Sequence, residues 1–132
     1  MAAGLDRGRL ELYLPAVDRA VGQARAAVDR LATLDSHPDA RFAVRLLVSE
    51  LFTNAVKYGR PRDARVRVSL EIDDTHVRGE IADHGRGFEQ DHVAMPDPDA
   101  ESGRGLAFLD AIADRWGVIH GGENCVWFEL DL

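Results

Sequence analysis

Ser49-Glu50-Leu51-Phe52-Thr53-Asn54-Ala55-Val56-Lys57-Tyr58-Gly59 closes an apolar run that begins at Phe42. The spacing predicts a helix that ends at Gly59. At about 100° per residue, Val44, Val48, Leu51, Phe52, Ala55 and Val56 gather on one side, while Glu50, Asn54 and Lys57 fall within roughly 60° on the other. A carboxylate, an amide and an ammonium thus share one stripe, flanked by Leu46 and Leu47. Lys57 is the only lysine in a chain that otherwise takes its positive charge from arginine. Taken alone, such a stripe is more often a solvated face with i, i+4 pairing. Two glycine-bearing turns downstream, Asp83-His84-Gly85-Arg86-Gly87-Phe88 and Gly103-Arg104-Gly105-Leu106, change that reading.

The rest of the chain frames these three stretches. Its 132 residues suffice for one domain with a single core, so 1–132 is expected to be one domain. With 45% hydrophobic and 30% charged residues the composition is that of a soluble globular protein. No apolar run approaches the roughly 20 residues that span a bilayer, and the N-terminus carries no secretory apolar region, so no membrane contact and a cytoplasmic location are expected. Acidic and basic residues are interleaved at a net charge of −7, which argues against direct nucleic-acid binding and for a protein or small-molecule partner. One cysteine, Cys125, excludes an internal disulfide and reads as a small apolar residue in a strand. The histidines, at 37, 76, 84, 92 and 120, show no close ligand spacing and are assigned to surface or turn positions.

From the N-terminus, Leu10, Leu12 and Leu14 alternate with polar residues in a strand stopped by Pro15. Helical spacing runs from Val17 to Leu34, and Pro38 and Asp39 suit the first turn of the long helix that reaches Tyr58. Val66, Val68, Leu70 and Ile72 then alternate in a strand, and Asp73-Asp74-Thr75-His76 turns it into a second strand, Val77 to Asp83. Residues 89–102 are acidic, hold two prolines and lack an apolar period, the mark of a loop that binds or covers something. A further helix is expected to open at Gly105 and to carry Leu106, Leu109, Ile112 or Ala113, and Trp116 toward the core. Strands around 116–120 and 125–132 close the chain. Helices segregated from a mostly antiparallel sheet predict an α+β fold of two layers.

The first glycine turn follows a strand that ends in a carboxylate, and the second sits at the mouth of a helix. Backbone N–H groups from Gly103 to Leu106 can receive phosphate oxygens there, with Arg104 beside them. Neither turn fits the P-loop or Rossmann fingerprints. Glu50-x-x-x-Asn54 resembles the N box, Asp83-x-Gly85-x-Gly87-Phe88 the first glycine box, and Gly103-x-Gly105-Leu106 the second glycine box of the GHKL ATPase and kinase superfamily. The resemblance covers nearly the whole chain. It implies the Bergerat ATP-binding fold, a mostly antiparallel mixed sheet with helices on one face. Within the superfamily the chain is most similar to the bacterial anti-sigma-factor serine/threonine kinases, through Leu12-x-Leu14-Pro15-Ala16, Arg25 and Val126-Trp127-Phe128-Glu129-Leu130.

That resemblance implies ATP and Mg²⁺ as cofactors and a role for each matched residue. Asn54 would hold Mg²⁺, and Asp83 would accept from the adenine amino group. Gly85 would admit the base, and Gly87, next to Phe88, would turn the chain into the lid. Gly103, Gly105 and Leu106 would cradle the phosphates, with Arg104 and Lys57 as charge partners, and Glu50 would be the catalytic base. It also implies an anti-anti-sigma (STAS) protein and a sigma factor as partners. Members of the group are often homodimers, and no pattern here fixes the oligomeric state. Sensor histidine kinases usually carry asparagine where this chain has Glu50, although Lys57-Tyr58 is similar to theirs. A nucleotide-binding interaction module without turnover and a detached histidine-kinase-like catalytic domain therefore stand as alternatives. Gly122-Glu123-Asn124-Cys125 occupies the place of a glycine-lysine-threonine turn in related domains, and is read as touching neither nucleotide nor partner.

Overall fold

The computed structural model describes residues 8–58, 65–83, 103–120 and 124–132. Strand β1 (Arg9–Pro15) leads through a 3₁₀ turn, Asp18–Ala20, into helix α1 (Val21–Asp29), and a second 3₁₀ turn, Ala32–Leu34, leads to helix α2 (Pro38–Tyr58). Strands β2 (Arg65–Ile72) and β3 (His76–Asp83) follow. Helix α3 (Gly103–Ile112) and strands β4 (Arg115–His120) and β5 (Asn124–Asp131) complete the described elements. The five strands form one sheet in the order β1-β2-β3-β5-β4, and every pairing is antiparallel. This is the expected α+β fold, with the helices on one side of the sheet.

Period-two patterning sorts the strand residues between the two sides. Leu10, Leu12, Leu14, Val66, Val68, Leu70, Val77, Ile81, Phe128 and Leu130 are buried under the helices, where Val28, Val44, Val48, Leu51, Phe52 and Leu109 meet them. Gly79 faces Phe128 across β3 and β5, and a Cβ there would overlap the Phe128 ring. The absent side chain is what lets the phenyl ring lie flat on the strand. The opposite side of the sheet is mostly charged, with Tyr13 and Ile119 exposed on it. There Arg9, Glu71, Arg78, Glu129 and Arg115 stand in one cross-strand row spanning all five strands, with alternating sign. Arg78 lies 3.2 Å from Glu129 and 3.0 Å from Glu80, with its guanidinium over the Trp127 ring at 4.6 Å, and Arg115 lies 2.7 Å from Glu129. Arg115, and to a lesser degree Arg78, hold the Glu129 carboxyl below its ordinary pKa.

Two expectations are corrected here. The helical run from Val17 to Leu34 is broken, because the backbone at Leu31 is extended (φ −79°, ψ 100°) and α1 ends at Asp29. Leu31 and Leu34 still face the core at helical spacing, so periodicity carries across a break that no glycine or proline announces. Arg41 of α2 closes α1 instead, donating to the carbonyl oxygens of Asp29 at 2.7 Å and Leu31 at 2.8 Å. Helix α3 starts at Gly103 rather than Gly105, since glycine is tolerated in a first turn whose N–H groups have no intrahelical partner. Trp116 stands in β4 rather than extending the helical stripe, and its indole Nε1 donates back to Asp110 of α3 at 2.7 Å. Cys125 is buried in β5, as its strand reading anticipates.

Candidate functional site

Helix α2 packs on α1, on β2 and β3, and on α3, so the elements that carry the three sequence motifs are in contact. Its apolar side is sealed: Val44, Leu47, Val48 and Phe52 are fully buried and Leu51 nearly so. Glu50 and Asn54 lie half-buried one turn apart, and Lys57 is exposed in the last turn, near the negative end of the helix dipole. A carboxylate and a carboxamide are therefore fixed on the border between core and solvent by the burial of the residues between them. Ser49, next to Glu50, is buried. Its hydroxyl donates to the Arg45 carbonyl at 2.8 Å and accepts from Arg25 Nε of α1 at 2.7 Å. This pins the turn of α2 that presents Glu50.

Asp83 ends β3 on the helix-covered side of the sheet, the same side as Val77 and Ile81, and is 8% exposed. Its cross-strand neighbours are Val66 of β2 and Asn124 of β5. The side-chain oxygen of Asn124, Oδ1, is buried and has no hydrogen-bond partner among the described residues. Buried polar atoms are paired in the great majority of cases, so an orphan acceptor next to a buried carboxylate marks a place where a donor-bearing ligand fits. An aminopurine base supplies such N–H donors, and the residues present therefore fit an adenine nucleotide.

Gly103, Arg104, Gly105 and Leu106 form the first turn of α3, where N–H groups without intrahelical partners and the helix dipole favour an anion. Gly85, Gly87, Phe88 and the 89–102 loop lie outside the described residues. Sequence reasoning read the Asn124 turn as remote from any ligand, and the structure sets Asn124 opposite Asp83. Its significance lies in the pairing of β3 with β5, and no local pattern in the sequence announces that pairing. No described helix is long and apolar enough to cross a membrane, and no cluster of metal-ligating side chains occurs among the described residues.

Residues 14–130 match the family described as histidine kinase-like ATPase domain. The chain is 34% identical over 100 residues to the anti-sigma F factor of Clostridium botulinum (strain Eklund 17B / Type B), a match covering 69% of this chain and 70% of that protein. The anti-sigma F factor of strain Alaska E43 / Type E3 gives the same figures. It is also 29% identical over 85 residues to the sensor protein kinase GraS of Staphylococcus aureus (strain MRSA252), which covers 56% of this chain and 24% of GraS. An antiparallel sheet under helices, the glycine turn that opens α3, the Glu50 and Asn54 pair on α2 and a family match over nearly the whole length agree. The chain belongs to the GHKL superfamily of histidine kinase-like, ATP-binding domains.

Proposed function

We propose that this protein is an ATP-dependent protein serine/threonine kinase of the anti-sigma-factor type, which phosphorylates an anti-anti-sigma (STAS) protein and regulates a sigma factor in the cytoplasm. The observation that carries this reading is Glu50 beside Asn54 at the solvent border of α2, on the helix that packs over the strand ending in buried Asp83. Asp83 accepts from the amino group of the base. The first turn of α3, with Gly103, Arg104, Gly105 and Leu106, receives the phosphates, and Lys57 adds positive charge. Gly85, Gly87 and Phe88 keep the separate roles that their motif implies.

Asn54 would hold Mg²⁺ through its amide oxygen, and that hard cation would supply neutralisation of the phosphate charge. Glu50 accepts the proton of the attacking hydroxyl as the new O–P bond forms and the β–γ bridging bond breaks. Phosphoryl transfer asks the protein mainly for position and charge, which suits a site with one base and no covalent nucleophile. The similarity to GraS supports a second reading, a histidine-kinase-like catalytic domain, and a binding module without turnover is the third.

Labelled ATP, Mg²⁺ and a candidate STAS partner separate them. The kinase reading expects acid-stable phosphoserine or phosphothreonine on the partner, lost in Glu50→Ala while ATP binding is retained. Acid-labile phosphohistidine would establish the second reading. ATP binding with no transfer to any partner would leave the module.

A further inference from the structure

The outer ridge of α2 carries more than a carboxylate. At about 100° per residue, Phe42, Leu46, Glu50, Thr53 and Lys57 fall within an arc of about 80°, on the side turned away from buried Val44, Val48 and Leu51. Phe42 is 64% exposed, more than Tyr13 and Ile119, which stand on the open side of the sheet. Leu46, its i+4 neighbour on the helix surface, is half-buried. With a rise of about 1.5 Å per residue, Leu46 lies about 6 Å and Phe42 about 12 Å from Glu50 along the axis, on the side away from Asn54 and Lys57. We propose that Phe42 and Leu46 dock the protein that receives the phosphoryl group, against an apolar patch flanking its reacting hydroxyl. This inference rests on the kinase reading of Glu50 and names the surface by which that site takes its substrate.

The position of the pair selects this occupant. In phosphoryl transfer the attacking and leaving oxygens lie roughly in line. With Asn54 and Lys57 serving the phosphates on the C-terminal side of Glu50, the hydroxyl arrives from the N-terminal side, over Leu46. An ordinary protein–protein interface covers about 800 Å² on each partner, a disc about 16 Å in radius, so a protein seated on Glu50 reaches past Phe42. The rim is charged. Asp39, one turn before Phe42, is exposed, and Arg45, one turn after it, is half-buried and lies 3.2 Å from Asp29. An apolar centre inside a charged rim is the anatomy of a surface that a protein partner covers.

The test is steady-state phosphotransfer, in ATP and magnesium, to the acceptor protein that the labelled-ATP experiment identifies, with wild type, Phe42→Ala and Phe42→Leu. Calorimetry with ATP, thermal unfolding and sedimentation equilibrium are run on the same three proteins. Phe42→Ala should raise the KM for the acceptor about tenfold while kcat stays within twofold, because the ring binds the acceptor and takes no part in the phosphoryl step. The ring is already mostly in water, so ATP affinity and the unfolding midpoint should match those of wild type. Phe42→Leu, which keeps an apolar side chain, should recover most of the lost affinity for the acceptor. An unchanged acceptor KM in Phe42→Ala, or a rise matched by an equal loss of ATP affinity, would overturn the docking role and leave the kinase reading intact. An unchanged KM with a shift from dimer to monomer would overturn it too, and give the ridge to a second copy of the chain. A wild type that phosphorylates no protein would remove the kinase reading and this inference with it.

Discussion

Arg25 Nε on α1 donates to Ser49 Oγ on α2 across 2.7 Å, and that hydroxyl donates its own hydrogen bond to the Arg45 carbonyl. The contact joins the two helices one residue before Glu50. In Ser49→Ala the Arg25 guanidinium returns to solvent, so the cost is that of the hydrogen bond and not of a stranded charge. Urea unfolding should show a loss of about 1 kcal/mol. If ATP affinity stays within twofold while phosphotransfer falls, the contact serves to position Glu50.

Asp83→Asn replaces a charged acceptor by a neutral one that also carries donors, on the side facing the base. A charge-assisted hydrogen bond contributes about 1.5–3 kcal/mol, so calorimetry should find ATP binding weakened by one to two orders of magnitude. Retained affinity would move the base elsewhere on the sheet.

Gly79→Ala drives a methyl group into the Phe128 ring at the centre of the core. Overpacking of this kind costs about 1–3 kcal/mol, measurable as a lower denaturation midpoint. Phe128→Leu in the same chain should relieve part of that cost, so the double variant should lose less than the sum of the two single ones.

Asp73 accepts from the backbone N–H of Thr75 at 2.8 Å and of His76 at 3.0 Å, and from the Thr75 hydroxyl at 2.9 Å, in the β2–β3 turn. Its pKa is lowered from 3.8 to about 2, chiefly by the Thr75 N–H, then by that of His76. A depressed carboxyl stabilises the fold above its unfolded pKa and stops doing so as pH falls through the folded one. Wild type should therefore lose stability between about pH 4 and pH 2. Asp73→Asn keeps an acceptor but cannot titrate, and its urea midpoint should fall less steeply across that window. Glu129 and Asp131, both lowered first by Arg115, account for slope that remains.

How much of this was legible beforehand follows from how local each signal is. Glu50 and Asn54 are one helical turn apart, and the apolar residues around them fix their face, so α2 and its stripe could be read directly. The β2–β3 hairpin was legible for the same reason, through two alternating runs and an Asp-Asp-Thr turn. The break at Leu31 was not, because Leu31 and Leu34 keep helical spacing through it and Arg41, which closes α1, comes from the next helix. The place of Asn124 opposite Asp83 was not legible, because it depends on a strand distant in sequence. A carboxamide at a strand start says nothing until the register sets it against Asp83.

The charged row on the open side of the sheet bears on how the strands find their alignment. Sliding β3 by one residue would bury Arg78 and expose Val77, an error the core rejects at once. A slide of two residues keeps each side chain on its own face, so the core is a weaker judge of it. Moved that way in one direction, Glu80 would come to rest between Glu71 and Glu129, like charges on both flanks, where Arg78 now stands opposite both. The alternating charges thus act as a vernier for strand assembly, so that added salt should slow refolding to the correct register more than it lowers the stability of the finished sheet.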